Sequence, residues 1–182
     1  MTSALAISLS PRAGGNSDAA VEQFVAEYAL PCSVLALRDF EVIPCTGCGG
    51  CARSGRCVFA DRDQAEELFR QLENASLVML ACPVYFYHLP AHAKAWVDRA
   101  QSRYLRPEKA RNIRQAVAVM LAGRPKGARL FEGMTLTLAY FFRVFGFSLT
   151  DTVELRGLDA RDAFRDNPDA MGLVAELGKR CR

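Results

Sequence analysis

The sequence predicts a doubly wound α/β sandwich, in which helices cover both faces of a five-stranded parallel sheet. Short apolar runs alternate with longer amphipathic segments along the whole chain, which is the order of repeated strand–helix units. The apolar runs are continuous rather than alternating, as parallel strands buried on both faces require. With 182 residues and no repeat, linker or low-complexity stretch, the chain is expected to form one domain over residues 1–182.

The five predicted strands share this apolar character, and the last is the weakest. They cover residues 4–9, 33–37, 77–82, 116–121 and 152–155. Pro83 directly follows the third of these strands and is expected to end it.

The predicted helices repeat apolar residues at the spacing of one helical face. They cover residues 18–30, 61–74, 90–103 and 130–145, and a last one begins near residue 168. Asp61 or Asp63 can cap the second helix, Pro90 suits the first turn of the third, and Gly146 suits the end of the fourth.

Composition limits the classes of partner. Hydrophobic residues make up 51% of the chain, charged residues 24%, and the formal charge is only +3. Without a block of like charge, a nucleic-acid or membrane partner is not expected. No apolar run reaches the length of a membrane span, and the N-terminus lacks the basic region of a signal peptide. A cytoplasmic location is therefore predicted.

The loop at residues 10–17 joins the first strand to the first helix. It offers serines at both ends, Arg12, and two adjacent glycines. In such sheets ligands bind beyond the carboxyl ends of the strands, and backbone N–H groups at a helix start bind anions. The loop is neither a Walker A nor a G-x-G-x-x-G sequence, so ATP and NAD are disfavoured as the tightly bound ligand. An ordinary polar turn capped by Ser17 is the alternative.

The loop after the third strand carries three consecutive aromatic residues, at positions 85–87. Aromatic side chains in a loop are unfavourable in water, so a flat cofactor lying against them is one explanation and packing onto a neighbouring helix is the other. His88 and His92 flank Pro90 without an acidic or cysteine neighbour, and they are interpreted as capping or surface residues rather than metal ligands.

Four of the seven cysteines lie in a short glycine-rich loop with the spacing C-x2-C-x2-C-x5-C. They are Cys45, Cys48, Cys51 and Cys57. The first three share the spacing of ferredoxin segments that bind iron–sulfur clusters, whereas structural zinc usually takes two separated Cys-x2-Cys pairs. A cluster is favoured, with zinc or free or oxidised thiols as the alternatives.

At this point the motifs resemble a known family. Ser-Pro-Arg-x-x-Gly-Asn-Ser at 10–17 is similar to the phosphate loop of NADPH-dependent FMN reductases of the flavodoxin superfamily. Pro-Val-Tyr-Phe at 83–86, followed by Leu-Pro-Ala at 89–91, Lys94 and Asp98-Arg99, resembles the second flavin loop and its helix. Leu9 departs from the pattern, because the family usually has glycine there.

The resemblance implies a flavodoxin-like three-layer α/β/α sandwich that binds FMN. The implied cofactor-binding residues fall into three loops: Ser10, Arg12, Gly15, Asn16 and Ser17 at the phosphate; Pro83, Val84, Tyr85 and Phe86 along the ribityl chain and ring system; Ala122, Gly123 and Arg124 on the other side of the ring.

The cysteine run resembles the compact motif of iron–sulfur flavoproteins, in which four cysteines bind one [4Fe–4S] cluster. The implied activity is transfer of electrons from NAD(P)H through FMN to a quinone, another small acceptor or a protein partner. Because flavin supplies the reaction, no catalytic side chain is predicted. An electron carrier without direct NAD(P)H activity and a zinc-bearing interaction module are the alternatives.

The helix at 130–145 is apolar around nearly its whole circumference. Leu138, Phe141, Phe142 and Phe145 can form the stripe that covers the sheet, which leaves Met134, Tyr140 and Val144 on other faces. A symmetric dimer would bury that remainder, and the family resemblance likewise implies a homodimer or homotetramer. Enclosure by the C-terminal segment is the alternative.

Overall fold

The fold is built on one five-stranded parallel sheet with the strand order β2-β1-β3-β4-β5. The computed structural model describes residues 3–105 and 112–182. The strands are β1 (Ala4–Ser8), β2 (Cys32–Ala36), β3 (Leu77–Pro83), β4 (Arg114–Leu121) and β5 (Phe147–Leu155). The predicted fold class is confirmed.

Seven helices connect and cover the strands within the described ranges. They are α1 (Asn16–Tyr28), α2 (Gly50–Ser54), α3 (Ala65–Asn74), α4 (Ala91–Arg99), α5 (Gln101–Tyr104), α6 (Glu132–Val144) and α7 (Pro168–Arg180). The apolar sides of α1 and α7 pack on one face of the sheet, and those of α3, α4 and α6 pack on the other. No helix in the described part of the chain is long and apolar enough to cross a membrane.

Strand β3 illustrates why its sequence is continuously apolar. Val78 and Leu80 belong to the core beneath α3, α4 and α6, whereas Leu77 and Met79 belong to the core beneath α1 and α7. Successive side chains of a strand point to opposite faces, and here both faces are buried. Each fully buried side chain of this size contributes about 1.5–3 kcal/mol of hydrophobic free energy.

The observed elements differ most from the sequence-based expectation at β5, at the predicted helix 90–103 and in the cysteine loop. Strand β5 begins at Phe147, five residues before the predicted start, and its register against β4 shifts between Ala116 and Val117. The predicted helix 90–103 is two helices that meet at Ala100. A short helix, α2, lies inside the cysteine loop and was not predicted; its five residues are too few to show a helical period.

Helix α6 differs from the prediction in its exposed face. Met134 is buried, and Val144 is half-buried against the same core. Tyr140 is 61% exposed, and Leu136, which the sequence analysis did not single out, is 60% exposed. The C-terminal helix α7 packs on the opposite face of the sheet, so the alternative in which the C-terminal segment encloses α6 is wrong.

Candidate functional site

A cavity of about 700 Å³ opens at the carboxyl ends of the central strands, where parallel sheets bind their ligands. Its volume is in the range of small-molecule and cofactor sites. Ten of the predicted cofactor-binding residues line it: Ser10, Arg12, Gly15, Asn16, Ser17, Pro83, Val84, Tyr85, Phe86 and Gly123. The lining includes neither Ala122 nor Arg124. The Ala122 side chain is buried in the core, and Arg124 points into solvent.

The loop at 10–17 is folded by its own hydrogen bonds. The Ser10 hydroxyl accepts a hydrogen bond from the Arg12 N–H at 3.1 Å and donates to the Arg12 carbonyl at 3.0 Å. Gly14 has a φ of 65°, the left-handed region that glycine adopts without steric cost. Arg12 is exposed at the mouth of the cavity. The chain reversal therefore brings backbone N–H groups and one cation to the same end of the cavity.

Helix α1 begins beside this loop with Gly15 as its N-cap. Ser17 lies inside the first turn and is buried, so the alternative in which it caps the helix is wrong. In the described structure no side chain caps this helix start, and its first backbone N–H groups have no intrahelical acceptor. Free N–H groups at the positive end of a helix dipole are an arrangement that favours a bound anion.

Asp18 and Arg38 stabilise the loop through hydrogen bonds to its backbone. Neither residue was predicted to belong to the site. The Asp18 carboxylate accepts from the Gly14 N–H at 2.7 Å, from the Ser8 hydroxyl at 2.5 Å and from Arg38 at 3.0 Å. Burial would raise the pKa of Asp18, but these hydrogen bonds and the charge of Arg38 outweigh it and hold the pKa below its ordinary value. Asp18 therefore places a negative charge next to the loop, and its carboxylate oxygens are paired with hydrogen-bond donors.

Asn16 ties the loop to the segment that follows β5. Its side-chain N–H₂ group donates to the carbonyls of Leu158 and Ala160 at 3.1 and 2.9 Å, and its carbonyl accepts from the Phe164 N–H at 2.9 Å. All three hydrogen bonds of the Asn16 side-chain amide are therefore made within the protein. Arg161 adds a second tie by donating to the Ala13 carbonyl at 2.9 Å.

This segment after β5 also supplies cavity residues that the sequence analysis missed. Asp159 and Arg161 belong to the lining. An added Cβ at Gly123 would lie 2.7 Å from a carboxylate oxygen of Asp159, so the glycine permits this close approach. The main contribution of the predicted third loop is therefore Gly123, whose lack of a side chain leaves space for the segment at 158–161.

The aromatic loop forms a tight turn. Tyr85 and His88 exchange two backbone hydrogen bonds of 2.9 Å. Between them Phe86 and Tyr87 adopt positive φ values of 48° and 63°, which are strained for bulky side chains and often occur at functional sites. The Phe86 side chain is fully exposed, so it does not pack onto a neighbouring helix. The His88 ring lies 3.1 Å from the Thr137 hydroxyl and braces the turn against α6.

The four clustered cysteines line a second cavity, of about 540 Å³, between their own loop and helices α4 and α5. Cys45 and Cys48 are exposed, and Cys51 and Cys57 are half-buried. All seven cysteines lie in the described part of the chain, and none forms a disulfide. Within residues 3–105 and 112–182, no three histidine, cysteine or acidic side chains are grouped closely enough to hold a metal ion. The thiols thus share a cavity without being gathered at one point.

The surroundings of Cys48 favour its thiolate form. A hydrogen bond from the Gly50 N–H lowers the pKa of Cys48; burial opposes this, and Thr46 and Arg53 add smaller lowering effects. The thiolate is the form that binds metals. In contrast, complete burial raises the pKa of Cys82, which belongs to the core.

The sequence pattern that defines the family of NADPH-dependent FMN reductases matches residues 2–147 of the chain. The chain belongs to this family. The match confirms the family inferred from the loops at 10–17 and 83–86, and FMN is the cofactor in the family's name. The matched region contains the first cavity's loops up to Gly123 and the whole cysteine loop.

Curated relatives of this FMN reductase family member are iron–sulfur flavoproteins. One, from Methanocaldococcus jannaschii, is 30% identical over 118 residues, which cover 63% of this chain and 60% of that protein. Another, from Archaeoglobus fulgidus, is 35% identical over 94 residues, which cover 50% of this chain and 41% of that protein. The chain spans about half the length of the curated relatives it matches.

Solved structures agree on the fold of this family member. An azoreductase has a TM-score of 0.73 at 17% identity, with 98% of this chain and 99% of that one covered. An FMN-dependent NADH-azoreductase from Bacillus anthracis, solved with FMN, has a TM-score of 0.70 at 15% identity, with 99% and 100% covered. At these identities the likeness establishes the flavodoxin-like fold alone.

Proposed function

We propose that the protein is an FMN-dependent oxidoreductase that takes electrons from NAD(P)H and passes them to a quinone, another small acceptor or a protein partner. The observation that carries the proposal is the cavity of about 700 Å³, in which an anion site and an aromatic turn face one space. We also propose that residues 1–182 form one domain, which acts in the cytoplasm as a homodimer or homotetramer.

The lining fits FMN in its chemistry. The phosphate end would be held by the backbone N–H groups of the loop at 10–17, by Ser10 and by Arg12. At Gly15 no heavy atom lies within 4 Å of an added Cβ, so a ligand can approach the backbone closely there. Tyr85 and Phe86 offer apolar surface for a flat ring system.

When held in this cavity, FMN would supply the chemistry of hydride uptake and of one- and two-electron transfer. The chain's own residues position it and shield it. The aromatic turn, held by His88 against α6, would cover one side of the bound ring system. The segment at 158–161, held by Asn16, closes the side above Gly123.

We further propose that Cys45, Cys48, Cys51 and Cys57 hold one [4Fe–4S] cluster. Four thiols on one cavity are the ligand set of such clusters, and the two relatives above are named iron–sulfur flavoproteins. Cys45 and Cys48 lie in a stretch without regular structure, so the loop can draw the thiols together at little cost in packing. A cluster of this kind would let single electrons pass to a protein partner.

Anaerobically purified full-length protein tests the proposal. We expect flavin absorbance, extractable FMN, and rapid bleaching of the flavin by NADPH or NADH. Bound flavin that neither nucleotide bleaches would indicate an electron carrier instead, and metal-bound protein without flavin would indicate a zinc module.

Iron and sulfide analysis after reconstitution tests the cluster separately. We expect about four irons per chain, the content of a [4Fe–4S] cluster, and loss of most of this iron in Cys51→Ala. Cys32→Ala is the matched control, because Cys32 lies on β2, outside the cysteine cavity. Fewer than about two irons per wild-type chain would exclude a [4Fe–4S] cluster.

A further inference from the structure

Two buried hydrogen-bond donors on the wall of the cysteine cavity have no acceptor within the described chain. They are the Nε–H of Arg99, at the end of α4, and the hydroxyl of Ser102, in α5. Arg99 is 2% exposed and Ser102 4% exposed. Buried donors almost always have partners, and an unpaired one is costly. Both residues line the adjoining cavity, so a group bound there is placed next to the two side chains that lack an acceptor.

The Arg99 guanidinium is fixed in place by its other nitrogens. It forms an ion pair with Asp63, whose side chain is as completely buried as its own, and donates to the Ile43 carbonyl at 2.8 Å. Asp63 is held in turn by the Ile43 N–H at 2.8 Å. With these partners taken, the Nε–H remains as an oriented donor that moves only if the whole network moves.

The position of these donors sets them apart from other unpaired groups. The remaining buried polar atoms without a partner in the described residues are Glu66 Oε1, His92 Nε2 and Trp96 Nε1. None of these three residues lines the cysteine cavity, whereas Arg99 and Ser102 both do. The cavity wall therefore combines one buried cation and one buried hydroxyl with four thiols.

We propose that Arg99 and Ser102 are positioning residues for the iron–sulfur cluster, to whose sulfur atoms they donate hydrogen bonds that raise its reduction potential. This inference rests on the proposed cluster at the four cysteines. Reduction adds one negative charge to the cluster, so a nearby cation and hydrogen-bond donors stabilise the reduced state more than the oxidised state. Removal of either donor then makes the cluster harder to reduce.

The test is a potentiometric titration of the reconstituted full-length protein with dithionite, in which each cluster takes up one electron and its reduced form is followed by electron paramagnetic resonance. Ser102→Ala removes one hydroxyl and leaves the Arg99–Asp63 pair intact. We expect it to disfavour the reduced state about tenfold, a shift of about 59 mV to more negative potential for a one-electron couple. Arg99→Lys keeps the cation for Asp63 but loses the Nε donor, and we expect a negative shift there also.

Arg103→Lys is the matched control, because Arg103 is ion-paired with Glu66 and Glu73 and does not line the cavity. It should retain the wild-type potential. If Arg99→Lys does not fold, as circular dichroism would show, Ser102→Ala decides. Wild-type potential in Ser102→Ala and in any folded Arg99→Lys, at full iron content, overturns the inference and leaves the cluster standing. A wild-type chain that takes up no iron overturns both.

Discussion

Arg12 is the one cation that the loop at 10–17 itself presents to the cavity. A charged hydrogen bond of the kind an arginine makes to a phosphate contributes about 1.5–3 kcal/mol. We therefore expect Arg12→Ala to weaken FMN binding about ten- to a hundredfold, with little effect on folding because the side chain is exposed. Titration of flavin-free protein with FMN, followed by flavin fluorescence, measures the change.

Arg70→Ala is the control for the loss of one positive charge, since Arg70 is an exposed residue of α3 outside the cavity lining. Its affinity for FMN should equal that of the wild type. An Arg12→Ala variant that binds FMN as tightly as the wild type would remove Arg12 from the phosphate site.

The hydrogen bonds of Asp18 predict that its contribution to the free energy of unfolding is lost in acid. Its pKa is lowered by its hydrogen-bond donors, so the carboxylate contributes stability at pH values above the unfolded-state pKa of about 3.9, and this contribution is lost as the pH falls through the folded-state pKa. Asp18→Asn should therefore be less stable than the wild type at neutral pH, and the difference should narrow as the pH falls below about 3.9. Urea denaturation at a series of pH values measures it.

Asp39→Asn is the matched control, because Asp39 approaches the same Arg38 only at 3.9 Å and is mostly exposed. It should lower the free energy of unfolding far less than Asp18→Asn at neutral pH. A stability difference between the wild type and Asp18→Asn that does not change with pH would contradict the role given to the Asp18 charge.

The site residues that the sequence predicts lie close together along the chain, whereas those that it does not predict make contacts with distant positions. Ser10, Arg12 and Gly15 lie in one contiguous motif between a strand and a helix, so local pattern is enough to place them at the cavity. Arg38 donates to the Ser10 carbonyl from 28 residues away along the chain, and Arg161 donates to the Ala13 carbonyl from 148 residues away. Their contacts exist only after the sheet has assembled, and no local pattern announces them.

At the scale of elements, one side chain of α1 makes most of the side-chain hydrogen bonds that hold the segment at 158–164. Asn16 makes three hydrogen bonds to this segment, and Asn16→Asp would replace the amide donor with an oxygen facing two carbonyls. We expect the segment to detach, with faster hydrogen exchange at the Phe164 N–H and weaker FMN binding. Hydrogen–deuterium exchange by mass spectrometry resolves the segment from the rest of the chain.

Asn74→Asp is the control, because Asn74 ends α3 and is exposed. Exchange over 158–164 should be unaffected by it. Unchanged protection of this segment in Asn16→Asp would show that Arg161 and packing hold it without Asn16.

The elements missed by the sequence analysis share a physical cause. Strand β5 is an edge strand whose first half alternates with exposed residues such as Ser148 and Thr150, so it lacks the continuous apolar run that identified the central strands. The division of the helix at Ala100 follows from the capping hydrogen bonds there. Those bonds place Arg99 and Ser102 at the cysteine cavity, a consequence that periodicity alone does not reveal.

For the whole molecule, the architecture was predictable because the three central strands, β1, β3 and β4, are buried on both sides. Leu80 and Met79 are neighbours in sequence, yet they belong to the two separate cores on opposite faces of the sheet. Only a parallel sheet between two helical layers gives both residues a buried place. The surface of α6 was less predictable, since Met134, Tyr140 and Leu136 are all apolar or aromatic and only packing decides which of them is exposed.

That exposed surface supports the expectation of a homo-oligomer. Leu136 and Tyr140 are four residues apart on α6, about three-fifths exposed, and therefore neighbours on one face of the helix. The hollow beside Leu136 is lined by Arg129, Glu132 and Arg156, so an apolar centre is bordered by charges of both signs. A symmetric contact between two such patches would bury the apolar centre and allow charges to pair at its edge.

We expect wild-type protein at micromolar concentration to have at least twice the 20.0 kDa mass of one chain in light scattering. Leu136→Glu should shift it to the single-chain mass, because the contact would bury a carboxylate without a partner. Leu173→Glu makes the same change at a leucine of α7 that is 54% exposed on the opposite side of the sheet, and it should leave the mass unchanged. A wild-type mass of one chain would mean that water covers Leu136 and Tyr140, and equal masses for wild type and Leu136→Glu would place any contact on another surface.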